Sequence, residues 1–136
     1  MKKILSLMTF ASFVIVMMAS CDAINKKPDP AGVAAKVCKS YYDALIKGNV
    51  KVYVEGMNVP EKIPDGYREE LETNMKMFLG QMKTEHGGLK KVTISNAKAD
   101  VKDHVAQVFL SEVFYDGTKE EIVVPMVLKK GTWYMR

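Results

Sequence analysis

Cysteine and histidine are scarce in this chain, with two of each among 136 residues. A zinc centre needs three or four such ligands at close spacing. Cys21, Cys38, His86 and His104 are scattered, so no metal site is expected. The same count excludes the multi-disulfide framework that staples many small secreted domains. An acid–base dyad is missing too. Asp103 and His104 are adjacent, and adjacent side chains in a strand point to opposite faces. No Lys/Arg stripe with interleaved aromatics occurs, so nucleic-acid binding has no support. The pairs Lys26-Lys27, Lys90-Lys91 and Lys129-Lys130 read as solvated surface. No cofactor is expected. Finally, the apolar run from Ile4 to Met18 falls short of the ~20 residues that a membrane helix needs.

That run fits a secretory leader instead. Lys2 and Lys3 precede it, and small Ala19 and Ser20 follow it as a cleavage site. Met18-Ala19-Ser20-Cys21 resembles the lipobox of bacterial lipoproteins, which implies cleavage between Ser20 and Cys21 and a diacylglycerol on the Cys21 sulfur. The expected organisation is a leader over 1–20, a lipid-anchored tether over 21–29 and one domain over 30–136, exported and held at a membrane of the cell envelope. The formal charge of +4 falls to near +2 once the two leader lysines leave. If Cys21 is acylated, Cys38 has no intramolecular partner. It lies in phase with Ala34, Tyr41 and Leu45, as a buried and inert thiol would.

Along the mature chain, residues 22–29 are polar and without periodicity, and reach roughly 25–30 Å when stretched. Asp29 and Pro30 then form a helix start. Val33, Val37, Tyr41, Ala44 and Leu45 recur at helical spacing up to Lys47-Gly48, which predicts a helix over 30–47. Val50 to Glu55 is ambiguous: the alternating valines favour a strand, while Asn49 is able to cap a short helix. A long helix begins at a cap on Asp65, carries Leu71, Met75, Phe78, Leu79 and Met82 as its apolar stripe, and stops at Gly87-Gly88. His86 reads as an end-of-helix cation.

After Gly88 the apolar period changes to two. Strands are expected over about 89–97, 101–115, 120–129 and 132–135, with a hairpin turn at Asp116-Gly117 and a second at Lys130-Gly131. Short turns make an antiparallel meander. Both faces of that sheet are apolar: Ala106, Val108, Leu110 and Phe114 oppose Val105, Phe109, Val113 and Tyr115, and Ile122, Val124, Met126 and Leu128 oppose Val123 and Val127. One face takes the helices, and the other is expected to meet a second subunit or a loop. Pro125 cannot donate to a ladder, so a bulge or sharp bend is expected there.

This order of elements, ending in Gly131-Thr132-Trp133, resembles the nuclear-transport-factor-like superfamily, the cystatin-like α+β cone. More narrowly, Ala44-x-x-Lys47-Gly48-Asn49, Phe78, Val105-Ala106-x-Val108, Tyr115-Asp116-Gly117 and Gly131-Thr132-Trp133 resemble a lipoprotein family of unknown function once given a provisional lumazine-binding label. Asn49 departs from the commoner acidic residue after the glycine. The resemblance implies an α+β fold of N-terminal helices on a strongly bent four-stranded sheet, a helical Val50–Glu55, a concave pocket, and homodimers through the convex sheet face. It carries no catalytic signature. Isomerases and cyclases of the superfamily need a tuned carboxylate or histidine inside the cone. Tyr41, Tyr42, Asp103, His104, Gln107, Ser111 and Glu112 are the candidates, and Glu112 shares the face of Leu110 and Phe114.

The resulting expectation is a lipid-anchored, non-enzymatic binding or accessory domain. Its cone is lined by Tyr41, Phe78, Leu110, Glu112 and Trp133 and accepts a small apolar or aromatic ligand. The alternatives are a small isomerase or cyclase using Glu112 or a helix-one tyrosine, and a structural envelope component acting through the convex sheet face. Four of the ten methionines belong to the leader, and the rest sit at core spacing, so soft-metal binding is not expected.

Overall fold

A computed structural model describes residues 29–136. The leader, Ser20, Cys21 and most of the tether lie outside the described residues. Three helices come first: α1 over Pro30–Ile46, α2 over Val50–Glu55 and α3 over Tyr67–His86. Four strands follow: β1 over Leu89–Asp100, β2 over Val105–Phe114, β3 over Lys119–Lys129 and β4 over Thr132–Met135. They pair antiparallel in the order β1-β2-β3-β4, so the fold is α+β with a meander sheet.

Asp29 caps α1 as its residue type predicts, its Oδ1 accepting from Ala31 N at 3.3 Å, and Pro30 occupies the first turn. Ala34, Ala35, Cys38 and Leu45 are buried against the sheet. The ambiguous segment resolves as helix for a packing reason. Asn49 Oδ1 accepts from Val52 N at 3.4 Å, and the buried residues are Val50, Tyr53 and Val54. These share a helical face, whereas a strand would have turned Val52 inward with Val50 and Val54. Val52 is exposed.

Helix α3 starts one residue later than expected. Gly66, in the left-handed region at φ 83°, is the N-cap, and no side chain caps the helix. Glu69 and Glu70 in the first turn and Lys83 and His86 in the last complement the helix dipole. No residue of α3 is fully buried; Met75, Phe78, Leu79 and Met82 are half-buried beneath it.

The sheet departs from expectation at two places. Residues 101–104 form a turn, with His104 at φ 57°, so Asp103 and His104 precede β2 instead of starting it. Pro125 sits in regular register opposite Gln107, and the irregularities fall in β1, between Leu89 and Lys91 and between Ile94 and Asn96. Pro125 is tolerated because the N–H it lacks would point to the β4 side, where the ladder ends. Its carbonyl accepts from Arg136 N at 2.9 Å just past β4.

The core joins α1 and α2 to the inner sheet face through Ala106, Val108, Leu110, Val124, Met126, Trp133 and Met135. The outer face keeps Val105, Phe109, Val113 and Val127 half-buried, while Val123 is 51% exposed.

Candidate functional site

The helices do not fill the cone. A cavity of about 460 Å³ remains under α3, within the roughly 300–1,000 Å³ typical of small-molecule sites. Tyr42 and Leu45 of α1, Tyr53 of α2, and Met75, Phe78 and Met82 of α3 form one side. Glu112 and Phe114 of β2 with Glu120, Ile122 and Val123 of β3 form the other.

Glu112 is the polar centre of this space. It lies at a core-face position of β2, opposite Val92 on one side and Glu120 on the other, and is only 5% exposed. Its Oε2 has no hydrogen-bond partner among the described residues. Burial raises its pKa, and the Glu120 carboxylate across the ladder adds to the rise. A carboxyl tuned upward in this way holds its proton to higher pH than an exposed one.

Two phenols face it from the helices. The rings of Tyr42 and Tyr53 meet edge to face with centroids 5.3 Å apart. Burial pushes both hydroxyls above the ordinary phenol range, and each also feels the Glu112 charge. Both remain neutral O–H groups. At the far end, the His86 ring packs on Phe114 with centroids 4.6 Å apart, and its Nδ1 bonds Asp116 Oδ2 at 2.9 Å.

The residues expected to share one pocket are divided among three places. Phe78 and Glu112 line the cone cavity. Leu110, fully buried, belongs to the packed core beneath it. Tyr41 packs instead toward β4, its hydroxyl donating to the Trp133 carbonyl at 2.7 Å. The Trp133 ring lines a second hollow of about 360 Å³ with Pro30, Val33, Val101, His104 and Leu128. Gln107 and Ser111 lie on the outer sheet face, and Asp103 and His104 are exposed in the β1–β2 turn. Cys38 is fully buried and its thiol is pushed up to about 12 by burial. Among the described residues, no group of three or more His, Cys, Asp or Glu side chains could hold a metal ion.

Tyr53 and Glu120 were not singled out from the sequence. Tyr53 was hidden by the ambiguity of α2. Glu120 was hidden by the turn: a two-residue turn at Asp116-Gly117 would pair Glu112 with Glu121, but Phe114 N donates to the Thr118 carbonyl across a three-residue loop, which shifts the register and puts Glu112 opposite Glu120.

No protein-family model matches the sequence, and no curated protein matches it. Among solved structures, the chain is similar to a Campylobacter jejuni protein described as an NTF2-like transpeptidase, an assignment that is itself provisional. The TM-score is 0.59 at 14% identity, over 74% of this chain and 94% of that one. At that identity the two share a fold. The helices, the four-stranded antiparallel sheet and the hollow between them therefore make this chain an α+β cone of the NTF2-like architecture.

Proposed function

We propose that this chain is a small-ligand-binding cone held at a bacterial envelope membrane by a lipid on Cys21. The observation that carries the binding half is Glu112 Oε2, buried without a partner against a cavity of about 460 Å³. A buried acceptor left open costs stability, and a bound molecule that reaches it would offset that cost. The apolar and aromatic walls suit a ligand with a flat or aliphatic body and one polar group. The anchoring half is supported by Met18-Ala19-Ser20-Cys21 at the end of the leader and by the tether that follows.

Titrating the purified protein with a library of flat fragments tests the site. Binders should shift the NMR signals of Tyr42, Tyr53, Phe78 and Phe114 together, and a library that moves none of them overturns the reading. For the anchor, metabolic labelling with an alkyne fatty acid should mark the wild-type chain and leave Cys21→Ser unmarked. A labelled serine variant would remove the anchor from the account.

A second reading, an isomerase or cyclase with Glu112 as proton carrier, is favoured by the upward shift of that carboxyl. It predicts that Glu112→Gln keeps affinity for a turned-over ligand while losing turnover. The transpeptidase description belongs to the Campylobacter protein, and at 14% identity the likeness carries the fold alone. Cysteine is one of the nucleophiles such chemistry uses, and Cys38, the one cysteine among the described residues, is buried and held as a thiol, so it supplies none. The outer sheet face, where exposed Val123 pairs with Phe109, supports homodimers through that face, which sedimentation of a Val123→Lys variant tests.

A further inference from the structure

Taking the cone as a ligand site, we infer that its occupant is an organic cation, a small ammonium whose N–H groups meet Glu112 and whose apolar body lies among Tyr42, Tyr53 and Phe78. Glu112 and Glu120 are the charged side chains lining the cavity, and both are acidic. Their Cα atoms are directly paired across β2 and β3, so both side chains leave the same face of the sheet. Like charges so placed repel, and no lining residue from α1, α2 or α3 supplies a basic group to offset them. Lys76 and Lys83 of α3 are exposed. His86, packed on Phe114, gives its Nδ1 to Asp116.

An ammonium answers three features of the site together. It opposes the paired carboxylates, it donates a charge-assisted hydrogen bond to the open Oε2, and it is attracted to the faces of the aromatic walls. A carboxylate or phosphate would meet like charge on entry. A multivalent metal ion would find two carboxylates set in thioether and hydrocarbon walls, which do not complete a hard-ion shell.

The test uses three probes that share one ring and differ in the head group: 2-phenylethylammonium, 2-phenylethanol and phenylacetate, titrated into the purified protein by NMR and calorimetry. The ammonium should bind about tenfold tighter than the alcohol, the margin of a charge-assisted over a neutral hydrogen bond, and phenylacetate should show no binding. Glu112→Gln, checked for folding by its melting curve, should bring the ammonium down to the affinity of the alcohol. If the alcohol binds as tightly as the ammonium and shifts the same Tyr42, Tyr53 and Phe78 signals, the cation inference falls while the ligand site stands. If no probe perturbs those signals and the fragment library also fails, the site reading falls with it.

Discussion

Replacing Glu112 with leucine should make this domain more stable near neutral pH, an unusual outcome for a core substitution. The side chain is 5% exposed, its Oε2 is unpartnered, and Glu120 lies across the ladder. Leaving a buried acceptor unsatisfied costs about 1–3 kcal/mol, and leucine removes that cost while keeping much of the volume. For a domain of this size each kcal/mol moves the midpoint of thermal unfolding by about 4 °C, so the variant should melt about 4–12 °C higher at pH 7.5. The pH dependence follows from the carboxyl. Its folded-state pKa is raised above the ordinary 4.5 by burial and then by Glu120, so the unfolded chain gives up the proton first as pH rises. The unfolded state then binds fewer protons, and wild-type stability falls as pH climbs above 4.5 toward the folded value. Below 4.5 both states are protonated and the gap between wild type and variant should shrink. Circular-dichroism melts of both proteins from pH 3.5 to 8 measure this. A leucine variant that is less stable at every pH, or a gap that does not change with pH, would refute the reasoning.

Three further outcomes follow from single contacts. Tyr41→Phe removes the bond to the Trp133 carbonyl and should cost about 0.5–1.5 kcal/mol in urea unfolding, with no change in fragment binding because Tyr41 does not line the cone. Gly56→Ala would set a methyl 2.6 Å from the Tyr41 ring and should cost about 1–3 kcal/mol by overpacking; the cost should drop when Tyr41 is also alanine, which a double-mutant cycle reads directly. Asp116 is held at about 2, first by hydrogen bonds from Thr118 and then by His86, so its contribution to stability is present above 3.8 and is lost as pH falls through about 2. Melts of Asp116→Asn should therefore diverge from wild type at pH 5 and converge near pH 2.

The fold was legible where local chemistry and burial agree. Asp29-Pro30, Gly87-Gly88 and Asp116-Gly117 mark element ends through backbone requirements that do not depend on the rest of the chain, and the structure uses all three. Val50–Glu55 was not legible from its own residues, because three alternating valines fit either period and only the burial of Tyr53 beside Val54 decides for helix. Pro125 misled for a related reason: which neighbour its missing N–H faces depends on where β4 stops, a long-range property. In the site, Glu112 could be placed on the core face by strand alternation, and Phe78 by helical spacing. Tyr41 and Trp133 have the right residue types and lie on core elements, but their rotation about α1 and β4 turns them to the opposite end of the cone.

Why the cone stays open is answered by α3. A helix that packs fully against a sheet buries part of its apolar stripe, yet α3 has no fully buried residue, and Met75, Phe78 and Met82 border empty space. Two of those three are unbranched methionines, which adjust their shape to whatever lies beneath them. Across the gap stand a buried carboxyl without a partner and a second acid directly paired with it. Either feature alone costs stability, and a sequence selected for packing alone would have replaced Glu112 with an aliphatic residue to continue Ala106, Val108 and Leu110. The two losses coincide at one cavity, on the side of the domain where the covering helix is least committed. That coincidence is what a binding site requires and what a plain core does not.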